Sequence, residues 1–200
     1  MKLYQTIVFN QIKKKSRVID CGCGNGELLK ALIKEKECEG YGIEKEFNEC
    51  MSAMGRGIPL FQGDILEGIK SFDDNAFDVA ILSQTLQQVM NPTEVINDLC
   101  RVSRTAIVTF PNFGYWKIRW QMLFTGFSPK TKHLPYAWYD TPNIRVITIH
   151  DFRELCKKNN IHIVKEIPLA KHRFQRLIFP LKLTNFFTEK GIFIIEKNRR

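Results

Sequence analysis

Two hundred residues with 44% hydrophobic content suffice for a single domain with a continuous core, and no internal repeat divides them. The formal net charge of +9 is uneven, since residues 1–100 carry 11 Lys+Arg against 15 Asp+Glu while residues 101–200 carry 19 against 6. No apolar run reaches the length of a signal-peptide core or a membrane span, and the six cysteines form no C-x-x-C pair, which argues against secretion, a membrane anchor, a zinc site and a disulfide framework. The expectation is a cytosolic protein that needs no metal. The basic second half would suit an anionic substrate, a nucleic acid or an acidic partner, and equally a solvated lysine-rich surface.

Leu3, Tyr4, Ile7, Val8 and Ile12 recur at helical spacing, predicting a helix over residues 3–13. Arg17-Val18-Ile19 then reads as a short strand that ends in Asp20, followed by Cys21-Gly22-Cys23-Gly24-Asn25-Gly26 and an apolar helical pattern to about residue 36. That order is strand, tight loop, helix. Glycines allow positive φ and let a ligand approach backbone whose amides and helix terminus would face it. Cys21 and Cys23 are either reactive thiols at a helix start or small packing residues.

Tyr41-Gly42-Ile43-Glu44 forms a second strand with an acid at its tip, and a helix over residues 46–54 stops at Gly55 and Gly57. A third strand over residues 58–62 leads to Gly63-Asp64, with a short helix over residues 65–70. Phe77 to Leu82 is near-continuously apolar, as buried parallel strands are. Asn91-Pro92-Thr93-Glu94 reads as a capping box that opens a helix to Arg101. A fifth strand covers residues 105–110. Alternating strands and helices imply a doubly wound, mostly parallel sheet whose ligands bind at the strands' carboxyl ends.

From about residue 111 to 143 the chain turns aromatic and proline-rich, carrying Trp116, Trp120 and Trp138. Trp116, Trp120 and Leu123 share one helix face beside Lys117 and Arg119. Three readings stay open for this insertion: a lid over a substrate pocket, a docking face for another protein, or an amphipathic helix covering a sheet edge. A helix capped by Thr148 and Asp151 follows, then a sixth strand over residues 161–164, a basic connection from Lys171 to Glu189, and a seventh strand over residues 191–196.

The glycines read G-x-G-x-G behind an acid, and not the G-x-G-x-x-G of a pyrophosphate loop, which favours a nucleoside ligand without a diphosphate. Glu44 at the second strand tip suits a ribose and Asp64 at the third suits an adenine amino group. Strand-end solubility is the alternative for both. Loop, ribose acid and adenine acid in this order resemble the class I S-adenosylmethionine-dependent methyltransferases. In such a protein the loop from Gly22 through Cys23 and Gly24 to Gly26 would hold the methionine part of the donor, Asp20 its ammonium side, Glu44 the ribose, Asp64 with Ile65 the adenine, and Ser83 and Gln84 the reacting end. The fold would be a seven-stranded sheet with an antiparallel last strand.

Longer strings carry a closer likeness. Val18 to Leu29, Ile81-Leu82-Ser83-Gln84-Thr85-Leu86-Gln87, Phe110-Pro111-Asn112-Phe113-Gly114, and Leu134-Pro135-Tyr136 with Trp138 to Ile144 resemble the methionine biosynthesis protein MetW family. Cys21 stands where that family usually has an apolar residue, and Asn25 where it often has an acid. The resemblance implies a bacterial cytosolic protein that binds S-adenosylmethionine or S-adenosylhomocysteine and works with a MetX-type homoserine O-acyltransferase; on the docking-face reading of the insertion, Trp116, Arg119, Trp120 and Trp138 would be the docking residues. Direct methylation of a small molecule is the alternative. No acceptor motif is legible: Ser83-Gln84-Thr85-Leu86 lacks the Asn/Asp-Pro-Pro-aromatic string that grips a flipped base, so nucleic acid is not expected. His133, Tyr139, Asp140 and His150 are possible bases, each as readily a packing or capping residue.

Overall fold

The computed structural model describes residues 1–131, 134–169 and 183–198. His133 and most of the connection from Lys171 to Glu189 lie outside them. Seven strands form one sheet: β1 (Arg17–Cys21), β2 (Glu39–Glu44), β3 (Leu60–Gln62), β4 (Phe77–Ser83), β5 (Ser103–Pro111), β6 (Ile161–Glu166) and β7 (Lys190–Lys197). Their order is β3-β2-β1-β4-β5-β7-β6. β1 to β5 run parallel, and β7 lies antiparallel to both β5 and β6.

Alternation along the strands supplies two cores. Ala80, Leu82, Val108, Phe110, Phe193 and Ile195 face one side. There they meet α4 (Ile65–Lys70), α5 (Pro92–Val102) and α7 (Ile149–Lys158). Val18, Ile81, Ile107 and Ile192 face the other side, covered by α1 (Leu3–Gln11), α2 (Glu27–Lys36) and α3 (Phe47–Met54). A period of two on strands buried on both faces gives two separate apolar sets from one run of sequence. Phe110, Phe152 and Phe193 interlock, with ring centroids 4.6 to 5.7 Å apart.

The boundaries differ from the sequence reading where local chemistry intervenes. α2 begins at Glu27, where Gly26 is its N-cap and sits at φ 74°. Asn91 and Pro92 do open α5, yet the expected capping box is absent: the Asn91 side chain caps no backbone N–H, and Glu94 turns to Lys70 Nζ at 2.8 Å. At α7 the box is complete, Thr148 Oγ1 accepting from Asp151 N at 3.1 Å and Asp151 Oδ2 accepting from Thr148 N at 3.0 Å.

After β5 the chain makes α6 (Trp116–Thr125) and, much later, α8 (Thr184–Phe187) before β7. The string that precedes α6 has a structural task. Asn112, fully buried, donates from Nδ2 to Asn185 O at 2.9 Å and Thr188 O at 2.7 Å. Its Oδ1 accepts from Gly114 N at 2.9 Å and Ile149 N at 3.3 Å. One side chain thus ties the end of β5 to α7 and to the approach of β7.

Candidate functional site

The carboxyl ends of β1, β2 and β4 and the turn after β3 surround a cavity of about 460 Å³. Of the residues singled out from sequence, Gly22, Glu44, Asp64, Ile65, Ser83 and Gln84 line it. Asp20, Cys23, Gly24 and Gly26 stand behind that wall and support it.

β1 delivers Asp20 into the protein, where it is 3% exposed and its Oδ1 has no hydrogen-bond partner among the described residues. Burial, then the neighbouring Glu44 charge, pushes its pKa up to about 8. A carboxyl kept protonated by its surroundings and left with an open acceptor is poised for a cationic or hydrogen-bonding guest. Gly22 follows at φ 82°, and a Cβ there would lie 2.5 Å from Thr85 Oγ1, so backbone alone fits this corner.

The loop spends its amides inside the protein. Gly22 N and Cys23 N both donate to Ile43 O, at 2.7 and 3.1 Å, and Gly26 N donates to Cys23 O at 3.1 Å. Gly24 N donates to Glu44 Oε2 at 2.8 Å. These amides are therefore not a free row of donors, contrary to the sequence expectation. What the loop offers a ligand is close approach.

Glu44 has a second duty that its strand-tip position did not reveal. Besides Gly24 N it accepts Lys45 N and Glu46 N on Oε1, at 2.8 and 3.0 Å. A carboxylate has about four acceptor positions, so capacity remains on the cavity side for a hydroxyl. Asp64 is the N-cap of α4, accepting from Leu66 N at 2.9 Å through Oδ1, while Ile65 is 8% exposed. Burial holds the Cys21 and Cys23 thiols well above the usual range, which favours packing over reactivity.

The floor is polar. Ser83 Oγ lies 3.1 Å from Thr109 Oγ1. Gln84, in the left-handed region at φ 60°, is held there by bonds from its N to Thr109 O at 2.8 Å and from its Nε2 to Thr109 Oγ1 at 2.9 Å. A non-glycine residue so constrained stores about 1–3 kcal/mol of strain, a feature that clusters at binding sites. Gln84 Oε1 also accepts from Lys190 Nζ at 2.5 Å.

Sequence reasoning missed part of the enclosure. Gln88, Val89, Met90 and Pro142 also line the cavity. Ile144 N and Arg145 N both donate to Gln87 O at 3.0 Å, which lays the end of the aromatic insertion against this wall. Pro142 stood in a quoted string but carried no ligand signal. Tyr139, Asp140 and His150 do not line the cavity.

The remaining insertion residues point elsewhere. α6 buries Ile118 and leaves Trp120, Leu123 and Phe124 exposed, with Trp120 stacked on Phe124 at 4.8 Å. Trp116 is half-buried. Arg119 Nε donates to Gly114 O at 2.7 Å and its guanidinium lies over the Phe186 ring, so it anchors α6 as well as facing solvent. Trp138 and Tyr139 are exposed as an edge-on pair. No helix among the described residues is long and apolar enough to cross a membrane.

A sheet of this order with a glycine loop after β1 defines the class I methyltransferase fold. Solved structures agree. A chain of the complex between the Haloferax volcanii Trm112 methyltransferase activator and a methyltransferase superposes with a TM-score of 0.68 at 14% identity, covering 97% of this chain and 88% of that one. Haemonchus contortus phosphoethanolamine N-methyltransferase 2, bound to phosphomonomethylethanolamine and S-adenosylhomocysteine, gives 0.67 at 13% identity over 98% of this chain and 52% of its own. The chain belongs to the methionine biosynthesis protein MetW family, whose model matches residues 3–195. A bifunctional methionine biosynthesis protein MetXA/MetW of Rhodopirellula baltica is 37% identical over 161 residues, 76% of this chain. The matched part spans only 26% of that relative's length.

Proposed function

We propose that this protein binds S-adenosylmethionine or S-adenosylhomocysteine in the cavity above β1, β2 and β4, and that it acts in the cytosol with a MetX-type homoserine O-acyltransferase, which it activates or regulates. The carrying observation is the buried Asp20 carboxyl with an unpartnered oxygen, behind the wall of a cavity lined by Gly22, Glu44, Asp64 and Gln84. Asp20 would take the ligand's ammonium, Glu44 its ribose hydroxyls, and Asp64 with Ile65 its adenine. Charge-assisted bonds of this kind contribute about 1.5–3 kcal/mol each.

Support for the partner comes from the Rhodopirellula baltica relative, which carries the MetXA and MetW names in one chain. The exposed rings of α6 together with Trp138 offer an apolar surface of the composition that interface anchors use. Calorimetry with either adenosyl compound tests the ligand, and absence of binding by folded protein rejects it. Co-purification with the acyltransferase, with and without S-adenosylmethionine, tests the partnership. Unchanged acyltransferase activity and no complex would discard it.

Transfer of the donor's methyl to a small molecule is a second reading, favoured by the strained Gln84 at the cavity floor. It predicts accumulation of S-adenosylhomocysteine with the correct acceptor. No accumulation with thiols, acids and amines counts against it.

A further inference from the structure

Among the described residues, two buried ionisable groups at this end of the sheet form no ion pair. One is Asp20. The other is Lys190, the first residue of β7, which is 6% exposed. Its Nζ donates to the neutral Gln84 Oε1 at 2.5 Å and lies 4.4 Å from the centroid of the Tyr4 ring. Among the described residues it forms no ion pair. An ammonium has three donors, and leaving a buried one without an anion is costly. Desolvation accordingly lowers its pKa to about 8, with Lys2 acting in the same sense and Glu189 against it.

Tyr4 links the two groups. Its ring stands against Lys190, and its hydroxyl feels the Asp20 charge. Gln84, the hydrogen-bond partner of Lys190, and Gly22, two residues beyond Asp20, line the same cavity. A buried ammonium against the Tyr4 ring and a buried carboxyl that acts on the same tyrosine are complementary to a zwitterion.

We propose that Lys190 receives the carboxylate of the ligand's α-amino acid head while Asp20 receives its ammonium, with Tyr4 packed between them. This assignment rests on the adenosyl reading of the cavity. It gives Lys190 the anion that burial demands, and it explains why the charged side chain that starts β7 turns inward toward Gln84. Selectivity for ligands with an intact amino-acid end follows, since an adenosyl thioether without it would leave both groups unpaired.

The test uses the full chain near neutral pH in calorimetry with three probes: S-adenosylhomocysteine, its decarboxylated counterpart that keeps the ammonium, and 5′-methylthioadenosine, which lacks the head altogether. Wild-type protein should bind the decarboxylated probe at least about tenfold more weakly than S-adenosylhomocysteine. Lys190→Met should weaken S-adenosylhomocysteine by a similar factor while leaving 5′-methylthioadenosine within about twofold, and Lys190→Arg should recover most of the loss. Equal wild-type affinity for the carboxylated and decarboxylated probes overturns the assignment, as does unchanged affinity in folded Lys190→Met. Should that variant not fold, the wild-type comparison decides alone. If wild-type protein binds none of the probes, the adenosyl reading itself falls, and this one with it.

Discussion

Asp20 makes a residue-scale prediction with a definite sign. Its carboxyl titrates at the ordinary 3.8 in the unfolded chain and is held up to about 8 in the fold. Between those values the native state binds more protons than the unfolded one, so the unliganded protein should lose stability as pH rises through that window. Asp20→Asn removes the penalty, and should raise the Tm near the upper end of the window while changing little at the lower end. The same substitution should weaken S-adenosylhomocysteine by about tenfold or more, because an amide brings no negative charge to the ammonium. Thermal scans across pH and calorimetry read the two effects separately. Gly22→Ala forces a Cβ to within 2.5 Å of Thr85 Oγ1 at φ 82° and should cost about 1–3 kcal/mol in urea unfolding. Adding Thr85→Ala should relieve the clash but not the backbone strain. Asp20, Glu44 and Asp64 were legible because an acid closing an apolar run marks a strand tip. Lys190 was not, although a lysine heading an otherwise apolar strand was a usable signal, because its place beside Tyr4 depends on the first helix meeting the last strand.

Helix starts show how far local rules reach at the scale of elements. Thr148 and Asp151 bond reciprocally, so Thr148→Ala should lower stability by about 1 kcal/mol. Asn91→Ala should change it by much less, since the Asn91 side chain caps no amide. Comparing the two by urea unfolding tests whether the same sequence motif is worth the same everywhere. The motif at α5 was readable, but its outcome was decided by Lys70, a competitor on another helix that spacing cannot reveal. Strands were legible to within a few residues, because burial on both faces demands continuous apolar runs. The Asn112 junction was visible only as a string. Asn112→Ala would strand several buried groups that it now satisfies, and should cost at least about 2 kcal/mol.

At the scale of the whole molecule, ligand cavity and aromatic surface share a chain segment yet face different ways. Pro142 closes the cavity, while Trp120, Leu123 and Phe124 project into solvent. Replacing those three with serine should reduce co-purification with the acyltransferase by about tenfold or more and leave S-adenosylhomocysteine affinity within about twofold. The mostly parallel sheet followed from alternating elements, whereas the cavity wall did not, because Gln87 and Ile144 are brought together by the return of the chain after a long excursion. Glu44 is clasped by three amides of its own protein before any guest arrives. Entry of a nucleoside therefore has little left to order on the ribose side, so association should be rapid, with the rate governed by access past Met90 and Pro142 and not by a slow rearrangement of the glycine turn.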